Sequence, residues 1–241
     1  MNPLILIPAR MAATRLPGKP LADIGGKAMI VRAYETAMNS GLPVAVAAGD
    51  QAIVDAIIDI GGTAVLTDPD LPSGSDRIRA ALDALDPDGA HDAVINLQGD
   101  MPFADPGLAT ACAALLHGEP ACDIATLVAP ESDVSDRTNV DVVKAVLALE
   151  PHGRHGKALY FTRSTLYGDA PVWRHIGVYG YRREALIRFC DAPPSPLERR
   201  EKLEQLRALE MGLSIWAAVV GEAPLSVDNP ADLQAARRLA D

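Results

Sequence analysis

The beginning of the sequence concentrates basic side chains in a chain that is acidic overall. The formal net charge is -10, yet residues 4–33 contain one acid, Asp23, against five cations. These cations are Arg10, Arg15, Lys19, Lys27 and Arg32. Guanidinium groups bind phosphate oxygens in pairs and an ammonium adds a point charge, so the first three cations suit a polyanion such as a triphosphate. A solvated surface loop is the alternative.

Two common phosphate-binding loops are missing from the sequence. The pattern G-x-x-x-x-G-K-[ST] fails because Ala28 follows Lys27, and no G-x-G-x-x-G follows the first apolar run. The second absence disfavours a dinucleotide-dependent oxidoreductase. The basic loop is therefore expected to hold phosphate mainly through its side chains.

A carboxylate follows another apolar run, in the stretch DAVINLQGDMP. This run predicts a strand that ends near Gln98, with Asp100 directly beyond it. Ligands of open α/β sheets bind beyond the carboxyl ends of the strands, and Mg²⁺ takes one or two protein carboxylates. Asp100 is therefore a candidate Mg²⁺ ligand, and a simple turn residue is the alternative.

The elements that must position these residues follow an alternating pattern. Nine short apolar runs predict strands: Leu4–Pro8, Pro43–Ala48, Thr63–Thr67, Ala93–Leu97, Ile124–Val128, Val142–Leu149, Ala158–Arg163, Ile176–Tyr181 and Ser214–Val219. Four amphipathic segments predict helices between the early strands: Ala28–Ser40, Gln51–Ile60, Asp76–Leu85 and Pro106–Leu116. This alternation predicts an α/β fold with a doubly wound, mostly parallel sheet.

The pattern loosens in the second half of the chain. From about residue 142 to 220, strands crowd together with one long predicted helix, Pro196–Gly212. We therefore predict a single domain over residues 1–241, in which a smaller mixed α/β lobe is attached to a nucleotide-binding core. Asp50, Asp105 and Asn229 stand where helix N-caps are expected.

Bulk properties exclude several classes of protein. The 241 residues are 49% hydrophobic, which is enough for one substantial core, and the negative charge argues against a general nucleic-acid binder. The three cysteines have no metal-ligand spacing and are expected to be free thiols in a reducing compartment. No signal peptide and no membrane span are predicted, so we expect a cytoplasmic protein.

Eight sequence blocks together resemble the 3-deoxy-manno-octulosonate cytidylyltransferases, or CMP-KDO synthetases. In chain order they are IPARMAATRLPGKPLADIGGKAMI, PSGSDRI, NLQGDMP, NVDVVKAV, ALYFTR, HIGVYGYR, LERREKLEQLRALEMG and SVDNPADL. The resemblance covers nearly the whole chain, and RLPGKPL separates it from the related CMP-sialate synthetases. The resemblance implies a nucleotidyltransferase with a Rossmann-like fold. It also implies that the smaller mixed α/β lobe contributes the sugar site and the dimer contacts.

The resemblance implies a reaction between CTP and an acidic eight-carbon sugar, which gives the CMP-sugar and pyrophosphate. The implied catalytic residues are Arg10, Lys19, Asp100 and Asp228, with Mg²⁺ bound by the two acids. A helix N-cap is the alternative for Asp228, but Asn229 before Pro230 fits that place better. The implied CTP contacts are Ala9, Arg10, Arg15, Lys19, Ser73, Gly74, Ser75, Arg77 and Gln98.

The acidic sugar needs a cation and several hydrogen-bonding side chains. Arg163, which follows a predicted strand, is our choice for the sugar carboxylate. His175 and Tyr179 lie four residues apart and would share one face of a strand, or could be polar residues of the core. Glu198 and Gln205 share one flank of the predicted long helix, where a solvated face is the alternative.

Three positions depart from the family pattern. Ala28 replaces a proline, Met101 replaces an acid beside the candidate metal ligand, and STLYGDAPVW follows Arg163 where relatives have a proline-containing run. The last change leaves an amino-substituted analogue of KDO, or sialate, as an alternative substrate. A non-catalytic nucleotide-binding regulator is disfavoured by the two acids. The resemblance also implies a homodimer and a role in lipopolysaccharide synthesis.

Overall fold

The computed structural model describes residues 1–12, 16–131, 134–166, 168 and 172–240. These form two compact units, one of Met1–Thr110 with Pro224–Asp241 and one of Ala111–Ala223. Within the described residues, no helix is both long and apolar enough to span a bilayer. The three cysteines are free, as expected, and Cys112 and Cys122 are buried.

The first unit contains a four-stranded parallel sheet. Its strands are β1 (Pro3–Ala9), β4 (Val44–Ala48), β5 (Ala64–Leu66) and β6 (Ala93–Asn96). They lie in the order β5-β4-β1-β6, and every pairing is parallel. All residues of β4 and β6 are buried, as expected for strands covered on both faces. The parallel sheet predicted for this half of the chain is confirmed.

Helices and a small ribbon complete the first unit. The helices are α1 (Met29–Met38), α2 (Gln51–Ile58), α3 (Gly74–Leu85) and α9 (Pro230–Ala240). The chain passes into the second unit within α4 (Gly107–Gly118). Between β1 and α1 lie a 3₁₀ turn, Lys19–Leu21, and an antiparallel ribbon of β2 (Asp23–Ile24) and β3 (Lys27–Ala28). The sequence reading missed this ribbon, because its strands are two residues long.

The second unit contains a mixed sheet. Its strands are β7 (Ile124–Glu131), β8 (Lys144–Leu149), β9 (His155–Thr162), β10 (Val172–Arg182) and β11 (Ile215–Val219). They lie in the order β10-β7-β11-β9-β8, and β8 pairs again with β10. The pairing of β7 with β11 is parallel, and the other pairings of this sheet are antiparallel. The predicted strand crowding in this region is confirmed.

Four short helices accompany the mixed sheet: α5 (Val134–Thr138), α6 (Arg183–Asp191), α7 (Pro196–Glu201) and α8 (Gln205–Glu210). The long helix predicted over Pro196–Gly212 is therefore wrong. Lys202, at φ 55°, ends α7, and the amide of buried Leu203 donates back to the carbonyl of Glu198. A helix that ends in this way, with a residue of left-handed conformation, usually has glycine at that residue. Lysine stands there in this chain, so the sequence carried no signal for the helix end.

The three predicted N-caps behave differently from one another. The side-chain oxygen of Asn229 accepts hydrogen bonds from the amides of Ala231 and Asp232 at the start of α9. The carboxylate of Asp105 accepts one from the amide of Gly107 at the start of α4. Both side chains thus bind backbone N–H groups that have no partner within the helix. Asp50 precedes α2, but its side chain makes no capping bond to that helix. Asp50 therefore occupies the predicted N-cap position, without a side-chain bond to the helix.

Candidate active site

A cavity of about 240 Å³ lies in the first unit, beyond the carboxyl ends of β1 and β6. Its wall includes most of the residues predicted to contact CTP: Ala9, Arg10, Lys19, Ser73, Gly74, Arg77 and Gln98, together with Asp100. Arg15, a further predicted contact, lies outside the described residues. The cavity stands at the sheet edge where ligands of such folds bind.

Backbone segments approach one another closely at the floor of the cavity. A Cβ on Gly99 would lie 3.0 Å from Cδ1 of Ile30 and 3.2 Å from the carbonyl oxygen of Pro8. A Cβ on Gly74 would meet Cγ of Pro8 at 3.4 Å. Gly99 therefore lets the strand end bearing Asp100 pass directly over the end of β1. The sequence reading did not assign a site role to Pro8, Gly99 or Met29, which also line the cavity.

The start of α3 forms one side of the cavity. The Ser73 hydroxyl accepts from the amide of Asp76 and donates to its carboxylate, with oxygen–nitrogen and oxygen–oxygen distances of 3.1 and 2.8 Å. This cap starts the helix at Gly74, two residues earlier than predicted. Ser75 is buried inside the unit and is not among the residues that line the cavity. Its predicted contact with CTP stays a prediction.

The guanidinium of Arg77 is held by the polypeptide itself. It donates to the Thr67 hydroxyl at 2.6 Å and to the carbonyls of Asp68 and Pro69 at 3.0 and 3.2 Å. The side chain is 2% exposed. Burial and the neighbouring charge of Arg10 lower the pKa of Arg77, whereas the carboxylates of Asp50 and Asp68 oppose this shift. Arg77 thus presents a fixed edge to the cavity.

Lys19 brings the two predicted metal ligands together. Its ammonium lies 2.7 Å from a carboxylate oxygen of Asp100 and 3.3 Å from one of Asp228. The three side chains are 16%, 22% and 42% exposed. Lys19 and Asp100 line the cavity, and Asp228 is not among its lining residues. Lys19 itself begins the 3₁₀ turn after Gly18, whose φ of 70° is readily adopted by glycine.

Asp228 reaches this cluster although it lies 209 residues beyond Lys19 in the chain. The amide of Val227 donates to the carbonyl of Asp100 at 2.9 Å, so the two segments that carry the acids are joined by a backbone bond. The amides of Asp228 and Asn229 both donate to the carboxylate of Asp232 in the first turn of α9. The start of α9 therefore fixes the backbone of Asp228, and its side chain is left to face Lys19.

A small apolar core holds α9 against the basic loop. Its buried members are Ile24, Met29, Val227, Leu233 and Ala236. Leu16, Ala22, Phe103, Leu225 and Ala240 pack around them. The hydrophobic contacts thus come from residues near both ends of the sequence, which explains how an N-terminal lysine and a C-terminal aspartate meet.

The acid pair fits a magnesium ion better than it fits a transition metal. Among the described residues, no group of three or more His, Cys, Asp and Glu side chains is arranged to hold a metal. Mg²⁺ commonly binds through one or two carboxylates together with water and phosphate oxygens. The carboxylates of Asp100 and Asp228 are brought together by their shared contact with the Lys19 ammonium. Met101, the neighbour of Asp100 in the chain, is buried. The residues present therefore fit a magnesium ion that is held by two carboxylates, those of Asp100 and Asp228.

His175 and Tyr179, predicted for the sugar, lie together in β10 of the second unit. Their ring centroids are 5.4 Å apart, and His175 also makes an edge contact with Phe161. A register shift lies between Ile176 and Tyr179. A ring nitrogen of His175 lies 3.0 Å from the Thr126 hydroxyl, and burial lowers its pKa to about 4, so the imidazole is neutral at pH 7. Burial likewise raises the pKa of Tyr179.

Arg163 is tied to the loop that precedes β8. It donates to the carbonyl of Val140 at 3.0 Å. Its own carbonyl accepts from the fully buried ammonium of Lys144, which also donates to the carbonyl of Asn139 at 2.5 Å. No role was predicted for Lys144, which lies in the block NVDVVKAV. A lysine inside an apolar run was the available signal.

Glu198 and Gln205 occupy two different helices, so the shared flank predicted for them is wrong. Glu198 receives two bonds from the Arg207 guanidinium, at 2.8 and 2.6 Å, and one from the amide of Ser195. Burial alone would raise the pKa of Glu198, but these donors outweigh it and lower the pKa. Gln205 is buried at the start of α8. Sugar binding by either side chain stays a prediction.

Comparison with known proteins identifies the family of this chain. The cytidylyltransferase family matches residues 4–215. A 3-deoxy-manno-octulosonate cytidylyltransferase of Parvibaculum lavamentivorans is 56% identical over 98% of this chain and 92% of its own. One of Rhodospirillum centenum is 55% identical over 100% of this chain and 94% of its own.

Solved structures give the same result. A CMP:2-keto-3-deoxy-manno-octonic acid synthetase complexed with CTP is 35% identical, with a TM-score of 0.90 and coverage of 99% of this chain and 98% of that one. A 4-diphosphocytidyl-2C-methyl-D-erythritol synthase of Anaerococcus prevotii, 13% identical with a TM-score of 0.65 over 98% and 97% of the chains, shares the fold. The relatives and the matched family place this chain among the cytidylyltransferases, and it belongs within them to the 3-deoxy-manno-octulosonate cytidylyltransferases.

Proposed function

We propose that this protein is an enzyme that joins CTP and 3-deoxy-D-manno-octulosonate (KDO) to give CMP-KDO and pyrophosphate. The observation that carries the proposal is the convergence of Asp100 and Asp228 on the Lys19 ammonium, at 2.7 and 3.3 Å, beside a cavity at the sheet edge. Family membership adds the identity of the two substrates. A regulator that only bound a nucleotide would not need two acids at this place.

The reaction forms one bond and breaks one bond at the α-phosphorus of CTP. The anomeric hydroxyl oxygen of the sugar attacks that phosphorus, the bond to the β-phosphate oxygen breaks, pyrophosphate leaves and the hydroxyl proton passes to solvent or to a nearby base. No covalent enzyme intermediate is required. The contribution of the protein is to hold the reacting groups in line and to stabilise charge.

We assign the nucleotide to the cavity of the first unit. Arg10 and Lys19 would bind phosphate oxygens, since both are cations on its wall. Ser73, Arg77 and Gln98 would contact the ribose and base, with Ala9, Gly74 and Ser75 providing backbone groups or close packing. Arg15 is assigned to the triphosphate on the resemblance alone.

Asp100 and Asp228 are the residues that would hold magnesium. When bound, Mg²⁺ would supply neutralisation of phosphate charge next to the leaving group. The protein part of this arrangement is the pair of carboxylates, fixed by the backbone bond from Val227 to Asp100 and by the cap of α9.

Sugar recognition is assigned to residues of the second unit. The Arg163 guanidinium would bind the sugar carboxylate, and neutral His175 and Tyr179 would donate to or accept from its hydroxyls. Glu198 and Gln205 are proposed as further contacts, of which Glu198 is already engaged by Arg207. The departures from the family pattern after Arg163 make the choice of acid the first point to test.

The proposed setting is lipopolysaccharide synthesis in the cytoplasm, with the enzyme as a homodimer. The proposal of a homodimer rests on the family resemblance, and exposed apolar side chains of the second unit such as Val140 and Leu159 are candidates for its contacts. Light scattering at micromolar concentration should return twice the monomer mass. A monomer mass would contradict the dimer without affecting the proposed reaction.

The decisive experiment measures pyrophosphate release from CTP and Mg²⁺ with three acids in parallel: KDO, its amino-substituted analogue and sialate. We expect turnover with KDO, and replacement of CTP by UTP serves as the nucleotide control. Turnover with one of the other acids alone would reassign the substrate within the same chemistry. CTP binding without pyrophosphate release from any acid would overturn the enzyme proposal.

A further inference from the structure

Asp50 directs its carboxylate away from the helix that it precedes. It stands in the N-cap position of α2 but makes no side-chain bond to that helix. Instead, one carboxylate oxygen accepts from the amide of Met11 at 2.8 Å. Met11 follows Arg10, which lines the cavity. Asp50 therefore lacks the side-chain bond that would stabilise the start of α2. Its carboxylate instead holds the loop that carries Arg10.

Gly49, the neighbour of Asp50, makes room for two arginines. Its amide donates to the carbonyl of Ala9 at 2.8 Å, which extends the pairing of β4 with β1 by one bond. A Cβ at position 49 would lie 2.7 Å from Nη1 and 3.0 Å from Cζ of Arg77, and 3.1 Å from Cβ of Arg10. Since Arg77 is already fixed by three acceptors, it has little freedom to yield. Arg10 and Arg77 thus flank a residue with no side chain.

The charges of Arg10, Arg77 and Asp50 also interact on this side of the cavity. The positive charge of Arg10 acts on the guanidinium of Arg77, and two like charges side by side repel one another. The half-buried carboxylate of Asp50 acts on Arg77 with the opposite sign. Asp50 thus offsets the repulsion between the cations together with Asp68, and Asp50 alone also accepts from the backbone amide next to Arg10.

We propose that Asp50, supported by Gly49, is a positioning residue for nucleotide binding: it sets the place of Arg10 beside Arg77 on the cavity wall. The inference rests on the proposed function for the identity of the nucleotide. It goes further by giving a role to a residue that precedes α2 and contacts the loop of Arg10. Because binding of a triphosphate depends on preset cations, loosening this loop weakens CTP binding and leaves sugar binding unchanged.

The test uses Asp50→Ser, since serine is a favourable N-cap whose shorter side chain does not span the distance to the Met11 amide. Thermal unfolding is measured together with the dissociation constant of CTP by calorimetry and the KM values for CTP and KDO. We expect the CTP dissociation constant and KM to rise about tenfold, with the sugar KM within about twofold and the unfolding midpoint unchanged or higher. Asp50→Asn, which keeps an oxygen acceptor, should fall between wild type and serine.

Asp59→Ser is the matched control, because Asp59 is an exposed acid at the other end of α2. It should leave CTP binding unchanged. The proposal is overturned if Asp50→Ser folds normally and binds CTP within about twofold of wild type, or if the serine and asparagine variants lower the unfolding midpoint without changing CTP binding. Calorimetry separates this result from the proposed reaction, because a wild type that binds CTP and releases no pyrophosphate contradicts the reaction and still permits the test of Asp50.

Discussion

Lys19 lies between two acids that are far apart in sequence, and this contact explains more of the site than any motif alone. Asp100 was placed correctly by its position after an apolar run, since strand ends of a parallel sheet meet at one edge. Asp228 has no comparable signal, because its position depends on the packing of α9 and on the amide of Val227. Resemblance, and not local pattern, selected it.

Replacing either acid by its amide should leave the fold intact and remove the activity. Asp100→Asn and Asp228→Asn are each expected to lower turnover at least about a hundredfold, because a neutral amide holds a divalent cation poorly and does not balance Lys19. Asp88→Asn, at an exposed loop acid, is the control. Pyrophosphate release and circular dichroism report activity and fold. Near-normal turnover in both variants would remove the proposed metal site.

Elements were predicted well where burial sets the pattern and poorly where caps set it. All nine predicted strands have counterparts, because continuous apolar runs such as β4 and β6 are buried on both faces. The failures lie at local bonds: Ser73 starts α3 early, and Lys202 splits the segment after Pro196 into two helices. The helix Arg183–Asp191 was also missed. The start of α3 and the end of α7 each depend on one residue, which a periodic pattern does not reveal.

The left-handed residue between α7 and α8 gives a stability prediction. Lys202→Gly should raise the free energy of unfolding by about 1 kcal/mol, because glycine adopts φ of 55° without the Cβ penalty. Lys202→Ala removes the same charged chain and keeps the Cβ, so it should not stabilise. Urea unfolding measures both. Equal effects of the two substitutions would show that charge, and not backbone strain, matters at this position.

The pairing of Arg207 with Glu198 gives a second prediction for these helices. The Arg207 side chain is 7% exposed and its guanidinium lies 4.6 Å from the centre of the Phe189 ring. Arg207→Met should lower the free energy of unfolding by about 3–5 kcal/mol, since it leaves the Glu198 carboxylate without its charged partner. The double variant with Glu198→Leu should recover part of the loss. A loss within about 1 kcal/mol in the single variant would contradict this reading.

For the molecule as a whole, acid should weaken the fold through more than one group. The pKa of His175 is about 4 in the folded protein against 6.5 for a free histidine, so the unfolded chain binds the proton more readily. Stability is then full above pH 6.5 and falls as the pH drops toward 4, by an upper limit of about 3 kcal/mol. Glu198, whose pKa is lowered, adds a loss of the same sign at still lower pH.

His175→Gln isolates the histidine part of this pH dependence. Glutamine keeps a polar group near the Thr126 hydroxyl but does not titrate in this range. The free energy of unfolding of the variant, measured by urea at pH 7 and pH 5, should change less between the two than that of wild type. Parallel changes in the two proteins would mean that His175 is as easily protonated in the folded state as in the unfolded one.

The backbone bond from Val227 to Asp100 has a consequence for synthesis of the chain on the ribosome. The parallel strands and the basic loop emerge first, but the second carboxylate and the helix that fixes it are translated more than two hundred residues after Lys19. A nascent or prematurely ended chain would therefore hold Lys19 and Asp100 without their third member. Under the proposed function, the pair of acids would be complete only after α9 has been translated and has docked.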